Sequence, residues 1–182
     1  MIYICPLRDL AFHTRNLRAS HVISLLGVEG EAERPPGILQ KDHLQLRVDD
    51  IAQDVPGYVR PNEEHAIDLI SFARRWDRSG PLIIHCYAGV SRSTAAALII
   101  LGLFNPGREA EAARLLREQA PHAKPNPLLI AAADRYMRWE GRMVAAVTAM
   151  GPADPSRQGL LVALPVRLPK RRSSNGNDPA SP

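Results

Sequence analysis

Residues 82–104 constrain this chain more than any other stretch. Leu82-Ile83-Ile84 is a wholly apolar strand, so it belongs inside a sheet covered on both faces. His85 and Cys86 close that strand. A tight turn, Tyr87-Ala88-Gly89-Val90-Ser91, then leads through Arg92 into an apolar helix from Ser93 to Phe104. Such a turn leaves the backbone N–H groups of Tyr87 to Arg92 unpaired at a helix N-terminus, where together they suit one oxyanion. Arg92 adds a planar, two-pronged donor matched to two phosphate oxygens. Gly89 allows a backbone angle or a close approach that a side chain would forbid.

Cys86 lies inside that cradle. A free thiol titrates near pH ~8.5, and the positive end of a helix with a guanidinium beside it favours the thiolate. A thiolate held against a phosphate-sized nest attacks phosphorus in line and forms a phosphocysteine, which water then hydrolyses. The competing reading is an ordinary buried cysteine in a strand–turn–helix.

His85-Cys86-x5-Arg92-Ser93, filled with Tyr-Ala-Gly-Val-Ser, resembles the signature of the cysteine-dependent protein tyrosine phosphatase superfamily. It is most similar to the dual-specificity branch and to small bacterial relatives. The resemblance implies an α/β fold, with a central, mostly parallel sheet flanked by helices. It also implies roles. Tyr87, Ala88, Gly89, Val90, Ser91 and Arg92 would bind phosphate, and the Ser93 hydroxyl would donate to the thiolate, although a helix N-cap serine reads the same way. His85 would orient the loop. Asn126, in Pro125-Asn126-Pro127, would steady the loop or simply punctuate the next helix. The general acid that protonates the leaving oxygen should sit on a loop three to four dozen residues before the cysteine. The family's "Val-acidic-Asp" pattern places it on Asp50, with Asp49 and Asp54 as alternatives. The resemblance covers residues 40–140 well and the first 40 only in layout. A tryptophan-proline-aspartate loop is absent. So is any lysine among Tyr87, Ala88, Val90 and Ser91, which argues against an inositol-lipid substrate.

Strands interleaved with helices fit an α/β sandwich. Ile2–Cys5 and the continuous apolar run His21–Leu26 read as strands, the latter ending at Gly27. Residues 27–37 read as loop. His43–Val48 alternates, with Leu44, Leu46 and Val48 inward. Asn62 is a fair N-cap for a helix carrying Glu63 and Glu64 in its first turn and Leu69, Ile70, Phe72 and Trp76 on its buried side. A surface helix over 108–119 and a last helix over 128–143 complete a phosphatase domain, residues 1–150. Residues 151–182 turn rich in proline and basic side chains and read as a flexible tail, whose apolar piece 160–168 is suited to dock on the domain.

Of the net charge of +4 on 182 residues, +3 falls in that tail. A basic pI is therefore poor evidence for nucleic acid as a partner, and the Lys170-Arg171-Arg172 cluster is suited to an acidic one. The two cysteines, Cys5 and Cys86, make no disulfide framework and fit a reducing compartment. Cys5 reads as a buried strand residue, with a protective disulfide to Cys86 as the alternative. No signal peptide is visible, and Thr94–Phe104 is far short of the ~20 residues of a membrane span. The six histidines show no metal-ligand spacing, so no cofactor is expected. The expectation is a cytoplasmic phosphomonoesterase acting on phosphotyrosine in proteins, with dual specificity open. The alternatives are a phosphatase for a small molecule, phospholipid or nucleotide, and a phosphate-binding adaptor without turnover. The intact Arg92-Ser93 argues against sulfur transfer.

Overall fold

A computed structural model describes residues 1–169. The elements run β1 (Ile2–Pro6), α1 (Leu10–Asn16), β2 (His21–Leu26), β3 (His43–Arg47), α2 (Glu63–Arg75), β4 (Leu82–Cys86), α3 (Arg92–Phe104), α4 (Glu109–Gln119), α5 (Pro127–Tyr136), α6 (Arg142–Thr148) and β5 (Val162–Leu164). They form one five-stranded sheet in the order β3-β2-β4-β1-β5. β4 pairs in parallel with β1 and β2, and β2 with β3; β5 alone is antiparallel, against β1.

The apolar runs explain this order. β4 is buried along its whole length, and β2 nearly so, which only interior strands with layers on both faces allow. On one face lies α3, buried from Arg92 to Gly102, with α2, α4, α5 and α6 around it. A helix apolar on every side must be enclosed, and this one is. The other face packs Cys5, Val22, Leu26 and Ile83 against Leu10 of α1, Ala32 and Ile38.

This two-faced packing decides between the readings of Cys5. Cys5 is in register with His85, and Pro6 with Cys86, so the two sulfurs leave the sheet on opposite faces. Cys5 belongs to the α1-side cluster and Cys86 to the α3-side one. Cys5 is thus a buried strand residue, and burial, then the charges of Asp9 and Cys86, pushes its thiol up to about 12.

Two segments depart from the sequence reading. The single helix expected over 128–143 is two, α5 and α6, because Arg138, Glu140 and Gly141 all take left-handed backbone angles. Asp134, buried near the end of α5, makes the break favourable: its carboxylate accepts from the N–H groups of Gly141 (2.7 Å), Met143 (2.9 Å) and Val144 (3.2 Å). The second departure is the tail. Residues 162–164 are a strand, and Asn105 clasps the chain just beyond it, donating to the Val166 carbonyl and accepting from Leu168 N–H, both at 2.9 Å. The chain up to Pro169 is therefore part of the fold. The rest of the expected tail, with its basic cluster, lies outside the described residues.

Candidate active site

The corner between β4 and α3 is held from several directions. Cys86 ends β4, 1% exposed, with Ser93 Oγ 3.2 Å from its sulfur. α3 begins at Arg92 with Ser91 at the cap position, so Ser93 lies in the first turn and is not the N-cap. Thr94 Oγ1 donates to the carbonyls of Val90 (2.6 Å) and Ser91 (2.9 Å), fixing the turn's last residues on the helix. Leu7 N–H donates to the Tyr87 carbonyl, Lys124 N–H to Val90 and Asn126 N–H to Ser91. Gly89 is required on two counts. Its φ of 73° is left-handed, and a Cβ there would come within 3.0 Å of the Cys5 and Pro6 backbone.

Arg92 is 2% exposed. Its Nη1 and Nη2 donate to Glu29 at 3.1 and 2.6 Å, and Nη1 also to the Val48 carbonyl at 3.1 Å. Burial works against the guanidinium's charge, but the hydrogen bonds to Glu29 and the negative charges of Cys86, Glu29 and Asp50 together outweigh it, and the net shift is upward. In return, the hydrogen bonds from Arg92 hold the Glu29 carboxyl down at about 2. Arg92 Nε is buried with no partner among the described residues. Sequence reasoning passed over Glu29, folded into a polar loop; its one signal was an acid closely following a buried strand.

The three candidate acids separate by environment. Asp49 is 2% exposed, with one carboxylate oxygen accepting from Val28 N–H (2.7 Å) and the other from Val59 N–H (2.6 Å). It clamps two loops. Gly27 makes room for it, since a Cβ there would lie 1.8 Å from Asp49 Oδ1. Asp54 forms an exposed ion pair with Arg60 at 3.0 Å. Asp50 is exposed and faces the turn: its Oδ1 accepts from Ser91 Oγ (2.6 Å) and Asn126 Nδ2 (3.1 Å).

Asn126 joins three parts of the corner. Its Nδ2 also donates to the Ile51 carbonyl, and its Oδ1 accepts from Leu128 and Leu129 N–H as the cap of α5. The two readings of this residue, support and punctuation, are thus one arrangement. His85 points to the opposite sheet face, where its Nε2 lies 2.6 Å from Ser24 Oγ, itself 2.8 Å from His43 Nε2. Burial drives His85 down to about 4, leaving it neutral at pH 7. Ser24 was missed as well, though a lone hydroxyl within the apolar run of β2 marks a buried partner.

At one strand-to-helix corner stand a thiol, a serine hydroxyl beside it, a buried guanidinium at the start of the helix and a carboxylate facing the turn. Human DUSP28 superposes with a TM-score of 0.57 over 76% of this chain and 92% of its own, at 18% identity. DUSP15 gives 0.51 over 85% and 94%, at 23% identity. PTPMT1 in complex with PI(5)P gives 0.54 over 80% and 93%, at 16% identity. The chain shares the α/β fold of these structures, a mixed sheet flanked by helices. No protein-family model and no curated protein sequence matches it.

Proposed function

We propose that this protein is a phosphomonoester hydrolase working through a phosphocysteine, with phosphotyrosine in proteins as its principal substrate. One observation carries the reading: Cys86 Sγ lies 3.2 Å from Ser93 Oγ, the buried Arg92 guanidinium at the start of α3 interacts electrostatically with Cys86, and Asp50 faces the same turn.

The N–H groups of Tyr87, Ala88, Gly89, Val90 and Ser91 and the Arg92 side chain receive the phosphate oxygens, Arg92 Nε gaining the partner it lacks among the described residues. Glu29 and the Val48 carbonyl hold the guanidinium plane from behind, so little reorganisation accompanies binding. The Cys86 thiolate forms the S–P bond as the P–O bond to the leaving group breaks, and Asp50 supplies the proton to the departing oxygen. Water then attacks phosphorus, Asp50 takes its proton, and the S–P bond breaks. The Ser93 hydroxyl and Arg92 stabilise the sulfur anion that leaves. His85, through Ser24 and His43, orients the loop from behind and touches no substrate.

Hydrolysis of an aryl phosphate in the presence of chelator, abolished in Cys86→Ser, is the expected result. Turnover that survives in Cys86→Ser would defeat the reading. Phosphate binding without turnover in the wild-type chain would convert it to an adaptor. Phosphotyrosine, phosphoserine and phosphothreonine peptides against phosphoinositides rank the substrates, the lipid arm being set by the neighbour solved with PI(5)P.

A further inference from the structure

Beside the phosphate turn lies a second cavity, of about 320 Å³, that phosphate transfer to Cys86 does not use. Tyr87 and Ala88, the first residues of the turn, form one wall, and Pro6 and Leu7, at the end of β1 and just beyond it, form the floor. The Leu7 N–H to Tyr87 carbonyl hydrogen bond (3.2 Å) ties wall to floor. The far wall comes from the C-terminal segment, at Gln158 and Gly159, which β5 brings alongside β1. Arg8 stands at the rim. Its side chain is 73% exposed, and its ion pair with Asp9, through Nε, is a loose 3.5 Å. Its Nη2 fits against Gly159 because glycine has no Cβ; one built there would lie 2.5 Å from that nitrogen. Tyr87 is 61% exposed, a large ring presented to solvent at the junction of cradle and cavity.

Building on the phosphatase reading, we infer that this cavity is a substrate subsite for the polypeptide flanking the phosphorylated residue. It takes an acidic side chain, whose carboxylate meets Arg8 while its methylenes and the adjoining backbone lie along Leu7, Tyr87 and Ala88. Continuity with the cradle fixes the occupant. Tyr87 and Ala88 belong to both the turn and the cavity, so a group bound by its phosphate at residues 87–92 lies beside that cavity. Among the described residues the walls are mostly apolar, interrupted by the Gln158 amide, with one guanidinium at the rim, which suits one carboxylate on an apolar stem. A phosphoinositide, which carries several anionic groups on a polar ring, suits it poorly. A small aryl phosphate ends before the cavity and reads the cradle alone.

The test compares two phosphotyrosine peptides, one with glutamate and one with alanine at the positions flanking the phosphotyrosine, against an aryl phosphate. Wild-type chain, Arg8→Ala, Arg8→Glu and Gln158→Trp are assayed. Phosphopeptide binding to Cys86→Ser, alone and with each change, is measured by calorimetry. We expect the glutamate peptide to exceed the alanine peptide in kcat/KM by about 1.5- to 5-fold, the range of one exposed charge pair. That preference should vanish in Arg8→Ala and invert in Arg8→Glu. Gln158→Trp should lower kcat/KM for both peptides relative to the aryl phosphate. Equal preference in wild type and Arg8→Glu would overturn the subsite, as would phosphoinositide hydrolysis that depends on Arg8 more than peptide hydrolysis does. If the wild-type chain hydrolyses nothing, the phosphatase reading fails on its own. The subsite is then judged by the calorimetry, where an Arg8-dependent preference for glutamate upholds it and its absence overturns it.

Discussion

At the scale of single residues, adjacent aspartates do different work. Asp49 spends both oxygens on backbone N–H groups and is buried, whereas Asp50 is exposed and turned toward the β4–α3 turn at Ser91. Asp50→Ala should therefore keep its melting temperature and lose about 10²-fold in kcat, most for alkyl leaving groups, since a general acid contributes on that order. Asp49→Ala leaves two N–H donors without their acceptor and should cost about 2–4 kcal/mol, read as a lowered denaturant midpoint. Equal effects of the two changes on stability and turnover would contradict the division. The cysteines divide as sharply. Burial keeps the Cys5 thiol neutral well past pH 9, so iodoacetate at neutral pH should label one site, Cys86, and inorganic phosphate should protect it. Labelling of both cysteines in the folded protein would show that Cys5 is reachable.

At the scale of elements, Asn126 closes a triangle between the Asp50 loop, the turn at Ser91 and the first turn of α5. Asn126→Ala should cost about 1 kcal/mol as a lost cap. It should also lower kcat beyond that, because Asp50 and the Ile51 carbonyl lose the Asn126 Nδ2 that holds their loop; a purely structural role would leave kcat untouched. Much of this was legible in advance. β2 and β4 announce themselves as largely apolar runs, and the turn between β4 and α3 is formed by contiguous residues. What escaped was what the chain assembles from afar. Glu29 reaches Arg92, and Ser24 reaches His85, across strands whose register no local pattern reveals. The α5–α6 break depends on Asp134 accepting bonds from residues beyond it, and the helical periodicity of 128–143 conceals that. β5 is only three residues long and is stabilised by the edge it finds, so its own composition said little.

At the scale of the whole molecule, stability should follow the buried histidine. His85 is held down to about 4 by burial, against an ordinary value near ~6.5. The unfolded chain thus binds the additional proton between these values. Its contribution is complete above about pH 6.5 and is lost as pH falls toward 4. His43, shifted downward by burial and by Arg34, adds in the same direction. Glu29 acts lower still: its carboxylate stabilises the fold above its ordinary range, and that support is lost as pH falls toward 2. Chemical denaturation at pH 7.5, 6 and 5 should give midpoints that fall in that order. His85→Asn should flatten the slope between pH 6.5 and 5, and an unchanged slope would assign it to other groups.

The strand that lines up against β1 also sets a timetable. Ile2 pairs with Leu164, so the flank of β1 emerges from the ribosome long before its cover exists. Until then the nascent chain presents a bare row of amides and carbonyls, a template for any passing strand. Ala163→Pro would make that exposure permanent, and its signature should be association during refolding rather than a slower chemical step.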